Sequence, residues 1–373
     1  MKDATPTAAC TVADAKSPSL AAEPEPRLRR AETEADHGTH SAGTPAQRLD
    51  RRSLLIGAGA VAAGAAALAA IDALRPKAPV FLARHQRYDG PLARTIRDGL
   101  RAIGFDPLAV RGRHVLIKPN LVEPDRAFPH RTTHPAVVAA AIEVFRGFGA
   151  EVVVGEGAAH LRDTELIVGE SGVGNVLADE RLRMIDLNYS EIRTRANAGR
   201  ASRLDRLHFP REAVEADLIV SLPKLKTHHW MGFTASMKNL YGVMPGAVYG
   251  WPKNVLHYAG IAETVVDINA SLPPVLGIVD AIVCMEGDGP ILGSPRTLGI
   301  LAVGAVPSAL DATLGRIAGF EPRRVPYLAL AAEKLGPIDD RRIVQRGESW
   351  RELVDPLRSL DQPHLQAMHA GVG

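Results

Sequence analysis

Short runs of Val, Ile and Leu alternate along this chain with stretches of helical periodicity. Runs that are apolar at nearly every position are typical of parallel strands covered by helices on both faces. The runs lie at residues 114–118, 151–155, 183–187, 217–221, 275–283 and 298–303, and the helical stretches at 133–145, 212–216, 257–270 and 307–312. The alternation predicts an α/β fold with a mostly parallel sheet in Rossmann-like layers and right-handed crossovers, arranged in one lobe or two.

The N-terminal region has the composition of a disordered arm followed by the layout of an export signal. Residues 1–50 are rich in Ala, Pro, Thr, Glu and Arg and hold few large apolar residues, so they cannot bury a core. At 51–70, Arg51-Arg52 precede an apolar run rich in Ala and Gly, and Ala67-Leu68-Ala69 fits a cleavage site. This layout predicts a twin-arginine signal, and the alternative is a chance arginine pair before a membrane anchor.

The signal also predicts where the protein acts. We expect the twin-arginine translocase to export the folded chain to the periplasm or another extracytoplasmic space. The mature protein would then have no stable membrane span, and whether the signal is cleaved or kept as an anchor stays open. The α/β domain is expected at residues 80–340, with a C-terminal tail at 341–373.

Charge and cysteine content narrow the functional classes. The 44 Lys and Arg residues nearly balance the 42 Asp and Glu residues, which gives no support for nucleic-acid binding. Cys10 precedes the predicted cleavage site, and Cys284 lies in an apolar run where a buried, structural cysteine is expected. A single remaining cysteine cannot hold an iron–sulfur cluster, so none is expected from this chain. The motifs of P-loop and serine hydrolases are absent from the sequence.

Polar side chains cluster where the predicted strands end. In open parallel sheets, ligands bind beyond the carboxyl ends of the strands, so these side chains are expected to meet at one rim. Lysines would supply positive charge there, and amides and a hydroxyl would supply directed hydrogen bonds. The residues predicted to bind an anionic ligand are Lys118, Asn120, Lys224, Lys226, Thr227, Lys238 and Asn239.

Carboxylates and histidines at the same rim suggest the chemistry. Glu286, Asp288 and His228 are predicted to act as acids or bases. A divalent metal is a candidate cofactor, since carboxylates bind hard cations, and its predicted ligands are Glu156, Asp280 and Asp311. The run from Glu286 to Pro290 also has the composition of a turn, which is compatible with a site.

Six motifs resemble those of domain-of-unknown-function family 362. They are VLIKPNL at 115–121, VVGE at 153–156, ADLIVSLPKLKTH at 216–228, KNLYG at 238–242, DAIVCMEGDGP at 280–290 and ALDA at 309–312. The motifs occur in the family's order. The resemblance implies little about activity, and the cysteine-rich iron–sulfur modules of some relatives are missing from this sequence.

These observations give one leading hypothesis and two alternatives. The leading hypothesis is an exported protein that binds an anionic small molecule, a carboxylate or phosphate ester, and acts on it by acid–base or metal-assisted chemistry. The first alternative is a non-catalytic binding protein of the cell envelope. The second is an accessory or assembly factor for another exported protein.

Overall fold

Residues 77–122, 127–158 and 163–371 are described by the computed structural model of the protein. The predicted disordered arm and export signal, at 1–70, lie outside the described residues. The strands are β1 (Ala78–Ala83), β2 (His114–Pro119), β3 (Glu151–Glu156), β4 (Met184–Asp186), β5 (Ile192–Ala196), β6 (Arg206–Pro210), β7 (Leu218–Leu222), β8 (Lys224–His228), β9 (Gly232–Thr234), β10 (Val275–Glu286), β11 (Ser294–Gly304) and β12 (Ile343–Gly347).

The helices lie between these strands and after the last of them. They are α1 (Leu92–Ala102), α2 (Pro135–Gly147), α3 (Thr164–Glu170), α4 (Val173–Asp179), α5 (Arg211–Glu215), α6 (Ser236–Asn239), α7 (Gly246–Tyr249), α8 (Asn254–Tyr258), α9 (Ile261–Ser271), α10 (Pro307–Ile317), α11 (Pro326–Lys334) and α12 (Pro363–Gln366). No helix of the described residues is both long enough and apolar enough to cross a membrane.

One large sheet carries the fold. Its strand order is β12-β1-β11-β10-β7-β2-β3-β4, with β8 paired to β10 and β9 paired to β8, while β5 and β6 form a separate antiparallel pair. Most neighbouring strands of the large sheet run parallel, which confirms the predicted α/β class. Alternate residues of β2 face opposite sides: Val115 and Ile117 pack in one core cluster and Leu116 in the other. Helices therefore cover both faces of the sheet.

The direction of β11 differs from the expectation of parallel strands. β11 pairs antiparallel with both β10 and β1. The segment between β10 and β11 is only seven residues, 287–293, which is too short for the crossover that a parallel pair needs. The carboxyl end of β11 therefore lies at the opposite edge of the sheet, and the predicted common rim is wrong for this strand.

Local signals explain how several elements begin and end. α2 begins at Pro135, and the His134 side chain accepts a hydrogen bond from the Ala136 N–H group. The single helix predicted at 257–270 is divided into α8 and α9 at Gly260, where φ is 103°. The domain boundary predicted at 340 falls inside the sheet, because β12 forms a parallel edge strand beside β1.

A buried ion pair between Lys224 and Asp280 fastens β8 to β10. The Lys224 Nζ and Asp280 Oδ2 atoms are 2.5 Å apart, and both side chains are fully buried. The Tyr88 hydroxyl donates to Asp280 Oδ1 at 3.1 Å, and the His134 N–H group donates to Asp280 Oδ2 at 3.1 Å. The pair thus joins two strands to the N-terminus of α2.

We predict that Asp280→Ala lowers the free energy of unfolding by about 3–5 kcal/mol, because it leaves the Lys224 charge buried without a partner. The double variant Lys224→Met/Asp280→Leu should lose clearly less, since it buries no charge. Urea denaturation of the single and double variants measures the difference. Asp89→Ala, which breaks the exposed pair with Arg87, is the control and should leave stability nearly unchanged. Additive losses in the double variant would contradict this account.

Candidate functional site

A cavity of about 370 Å³ lies beyond the carboxyl ends of β2 and β3. β8, β9, α6 and α8 contribute its other walls, together with the loops around residues 252 and 290. This is the place where open parallel sheets bind ligands. The cavity is therefore the candidate functional site.

The ionisable residues of this cavity are mainly basic. Lys118, Lys226, Lys238 and Lys253 line it, and Glu156 is the one carboxylate among its described lining residues. Since Glu156 can neutralise a single lysine, the described lining carries a surplus of positive charge whenever the other lysines are protonated.

Lys118 and Glu156 form a fully hydrogen-bonded ion pair at the base of the cavity. The Lys118 Nζ atom lies 2.8 Å from Glu156 Oε2 and also donates to Asn239 Oδ1 at 3.1 Å. Glu156 accepts further hydrogen bonds from the Leu121 and Gly157 N–H groups. Burial lowers the pKa of Lys118, and the charge of Glu156 opposes this shift. Burial of this kind is tolerable only because both charges are satisfied.

The backbone of Gly242 packs directly against this ion pair, which explains why the KNLYG motif ends in glycine. A Cβ atom at this position would lie 2.4 Å from Glu156 Oε1 and 2.5 Å from Lys118 Nζ. The Gly242 carbonyl also accepts a hydrogen bond from the Gly157 N–H group at 2.8 Å. Only glycine allows the chain after α6 to approach the ion pair so closely.

Two further lysines lie behind the cavity surface. Lys226 Nζ donates to the Arg131 carbonyl at 2.6 Å and to the Pro290 carbonyl at 3.3 Å. Lys253 Nζ donates to Asn188 Oδ1 at 2.6 Å. Burial lowers the pKa of each lysine to about 7, and in Lys226 the charge of Lys224 and other lysines adds to the shift. Both residues are 0% exposed, so they supply charge to the cavity without a surface for a ligand to touch.

Lys238 is the cavity lysine with a free ammonium group. It is partly exposed, and its Nζ makes no hydrogen bond or ion pair with any other residue of the described segments. The ammonium lies 5.4 Å from the centroid of the Tyr241 ring. Burial lowers its pKa to about 8. An anion entering the cavity can therefore pair directly with this side chain.

Asp311 positions the short helix α6 that carries Lys238. Its two carboxylate oxygens accept hydrogen bonds from the Ser236 and Met237 N–H groups at 2.7 and 2.9 Å. Burial raises the pKa of Asp311 to about 7, while the two hydrogen bonds oppose the shift. The metal-binding role predicted for Asp311 is thus replaced by a cap on α6.

Histidine and aromatic rings form one wall of the cavity. His228 is buried, and its Nδ1 accepts a hydrogen bond from the Trp230 N–H group at 3.1 Å. Burial and the charge of Lys238 hold the pKa of His228 well below its usual value. A neutral imidazole that accepts at Nδ1 carries its proton at Nε2, which makes Nε2 a donor. The His257 ring stacks on Tyr241 and meets the edge of Trp230, with centroid distances of 5.7 and 5.8 Å.

Two buried oxygen atoms on lining residues have no partner in the described part of the chain. They are Asn120 Oδ1 and Thr234 Oγ1. Buried polar atoms are nearly always hydrogen-bonded in native proteins. Among the described residues, these two atoms are therefore exceptions to the usual pairing of buried polar groups.

The structure brings together seven of the predicted site residues. The lining residues among them are Lys118, Asn120, Glu156, Lys226, His228, Lys238 and Asn239. Lys224 and Asp280 instead form the separate ion pair between β8 and β10. Thr227 does not line the cavity, because residues alternate along β8, and its hydroxyl donates to the Gly287 carbonyl at 2.9 Å.

Glu286 and Asp288, predicted as acids or bases, lie outside the cavity lining. Glu286 accepts hydrogen bonds from the Arg358 backbone and guanidinium groups at 3.1 and 2.8 Å. Burial raises the pKa of Glu286, but the hydrogen bonds and charge of Arg358 outweigh it and lower the pKa overall. Asp288 lies 3.7 Å from His229 Nδ1. Glu286 therefore binds the C-terminal segment through Arg358, and Asp288 lies beside His229.

The predicted metal ligands do not meet. Glu156 is bound to Lys118, Asp280 to Lys224, and Asp311 to the start of α6. Within the residues that the structure describes, no group of three His, Cys, Asp or Glu side chains could hold a metal ion. Metal-assisted chemistry stays a prediction, to be tested by adding divalent cations to the purified protein.

Lys253, Trp230 and Tyr241 were not assigned to the site by sequence reasoning. Lys253 follows Gly250-Trp251-Pro252 in a turn and adopts a positive φ of 75°, which is uncommon outside glycine. A lysine in such a turn gives no signal that its side chain is buried. Cys284 is buried as predicted, and burial raises its thiol pKa.

We predict that sulfate stabilises the protein more at pH 6 than at pH 9. Lys226, Lys253 and Lys238 are mostly protonated at pH 6 and mostly neutral at pH 9, because their pKa values lie at about 7, 7 and 8. Sulfate is a dianion across this range, so only the protein changes charge. Thermal unfolding with sulfate, against chloride of equal ionic strength, measures the effect.

The same lysines also determine how the stability of the protein changes with pH in the absence of sulfate. Their pKa values are lower in the folded chain than in the unfolded chain, so the folded state binds fewer protons between about pH 7 and pH 10. Their contribution to stability therefore rises with pH across that window. Equal stabilisation by sulfate at pH 6 and pH 9 would contradict the assignment of these lysines to an anion site.

Comparisons with known proteins identify the family. The family model described as Domain of unknown function (DUF362) matches residues 115–315. A thylakoid-associated protein of Synechocystis sp. is 31% identical over 269 residues, which cover 69% of this chain and 79% of that protein. The solved lactate racemase apoprotein from Thermoanaerobacterium thermosaccharolyticum is 17% identical and covers 64% of this chain and 56% of its own. Its TM-score of 0.39 is too low to support an argument. The resemblance read from the six motifs is confirmed, and the chain belongs to the DUF362 family.

Proposed function

We propose that the cavity binds a small anionic molecule, a carboxylate or a phosphate ester, and acts on it by acid–base chemistry. The observation that carries the proposal is the presence of four lysines and one carboxylate among the described lining residues. Buried positive charge without a partner costs free energy, and an anion in the cavity recovers part of that cost. The pKa values of Lys226 and Lys253 are lowered for the same reason, because burial disfavours their charged forms.

Exposure divides the lysines between two roles. Lys118, Lys226 and Lys253 are at most 1% exposed, so they act on the ligand through their charge. Lys238 is partly exposed and has no hydrogen-bonding or ionic partner in the described segments, so it is the lysine that contacts the anion. His228 lines the same cavity and offers its Nε2–H group as a second donor.

The surrounding side chains suggest how the ligand is held and transformed. The rings of Trp230, Tyr241 and His257 offer an apolar wall for the body of the ligand. Lys238, with a pKa of about 8, can give or take a proton near neutral pH. In this proposal Lys238 replaces Glu286 and Asp288 as the acid–base group, and His228 acts as a hydrogen-bond donor.

We predict that Lys238→Met weakens sulfate or phosphate binding by about tenfold, because it removes one direct charge contact of about 1–2 kcal/mol. Isothermal titration at pH 6.5 measures the affinity. Lys334→Met, which removes an exposed lysine near the end of α11, is the matched control and should bind as the unmodified protein does. If both variants bind sulfate equally well, the contact with Lys238 is wrong.

We also propose that the twin-arginine translocase exports the folded protein to the periplasm or another extracytoplasmic space. The support is the order of features at 51–70: the arginine pair, the apolar run, and the small residues of the cleavage site. The relative from Synechocystis is described as thylakoid-associated, which is consistent with a location at a membrane or outside the cytoplasm.

We predict that Arg51→Lys/Arg52→Lys keeps most of the protein in the cytoplasm, because the translocase reads the arginine pair. Cell fractionation followed by immunoblotting measures the exported share. Another arginine pair of the N-terminal region, Arg29-Arg30, is not directly followed by an apolar run. Arg29→Lys/Arg30→Lys is therefore the matched control, and it should leave export unchanged. Export that persists in the Arg51/Arg52 variant would rule out this route.

A further inference from the structure

Lys238 differs from the other cavity lysines in having an uncommitted amine. Lys118 donates to Glu156, Lys226 to two backbone carbonyls and Lys253 to Asn188. Those three amines are also shielded from any ligand, since the residues are at most 1% exposed. The Lys238 amine faces no hydrogen-bond acceptor in the described segments and lies on a cavity large enough for a small molecule.

The backbone that carries this amine is held from several sides. Asp311 binds the two N–H groups that precede Lys238 in α6. Asn269 donates to the Met237 carbonyl at 3.0 Å. The next residue, Asn239, donates to the Lys118 carbonyl and to the Ser221 hydroxyl, both at 3.0 Å. Lys238 therefore combines a backbone that is held in place with an amine that has no partner in the described segments, which suits a nucleophilic lysine.

We propose that Lys238 forms a reversible imine with a ligand that carries both a carbonyl group and an acidic group, such as a 2-oxo acid. The inference rests on the proposed anion site, because the buried lysines would attract the acidic group while Lys238 reacts with the carbonyl carbon. The ligand class is thereby narrowed from anions in general to carbonyl compounds that bear an anionic group.

The proposed step balances without an oxidant or reductant. The neutral Nζ of Lys238 attacks the carbonyl carbon, and a carbinolamine forms after a proton moves from nitrogen to oxygen. The carbinolamine hydroxyl then accepts a proton and leaves as water, and a C=N bond replaces the C=O bond. Solvent water supplies that proton, and the neutral His228 ring, whose Nδ1 accepts from the Trp230 N–H group, donates a hydrogen bond from Nε2–H to the departing oxygen.

The surroundings favour the neutral amine that this step requires. Desolvation is known to activate a lysine as a nucleophile, because it disfavours the charged ammonium. Burial accordingly lowers the pKa of Lys238 to about 8. An ordinary lysine has a pKa of about 10.4, so at pH 7 the neutral fraction of Lys238 is larger by roughly a hundredfold.

Reductive trapping with glyoxylate and cyanoborohydride at pH 7 tests the proposal on the full-length protein in its folded state. We expect one reduced adduct per chain, and peptide mapping should place it on Lys238. Labelling should be at least about tenfold faster than at the exposed Lys334, because of the larger neutral fraction. An excess of sulfate should slow labelling of Lys238 and leave labelling of Lys334 unchanged.

A charge-conserving variant separates this inference from the anion site. Lys238→Arg keeps the positive charge, so it should bind sulfate more tightly than Lys238→Met does, while losing the cavity adduct. Labelling of the unmodified protein at Lys238 no faster than at Lys334, with sulfate binding intact, would overturn the imine and leave the proposed function standing. If the unmodified protein does not bind sulfate, both the imine and the proposed anion site are wrong.

Discussion

The ion pair between Lys118 and Glu156 holds the cavity together. It joins the carboxyl ends of β2 and β3, and the Asn239 side chain and the Gly242 backbone close over it. Such a pair is stable in the interior only if further hydrogen bonds satisfy both charges, and they come here from the chain that forms the cavity walls. The walls and the pair therefore depend on each other: a displaced wall would leave a buried charge unsatisfied, and a broken pair would release the chain after α6.

Within the described residues, neutralisation of Lys118 leaves the other cavity lysines without a carboxylate partner in the lining. The protein accommodates them partly through fixed carbonyl acceptors and partly through lowered pKa values, which allow Lys226 and Lys253 to lose their protons near neutral pH. Proton binding and anion binding are thus linked at this site. An anion favours the charged lysines, so its binding near pH 7.5 should take up protons from solution. The basic cavity is consequently most attractive to ligands under slightly acidic conditions.

The sequence allowed the layers of the fold to be predicted more fully than the partners of its side chains. Apolar runs revealed the buried strands because burial on both faces demands Val, Ile and Leu at every position. They did not predict that β11 is antiparallel to its neighbours, since an apolar run gives no information on the direction in which the strand pairs. The lysines at strand ends were predicted because the strand defines where they emerge. The contact of Glu286 with Arg358 was not predicted, because the two residues lie 72 positions apart in sequence and no local pattern encodes that contact.

The contrast between buried and accessible lysines decides what the cavity can discriminate. Charges that no ligand touches attract any anion and select poorly among them, since their field has little directional character. Selection must therefore come from the groups at the surface: the Lys238 amine, the His228 Nε2–H group and the ring wall. An imine at Lys238 would select ligands by covalent bonding as well as by charge. Simple anions would enter and leave, and only those with a carbonyl within reach of Lys238 would be retained.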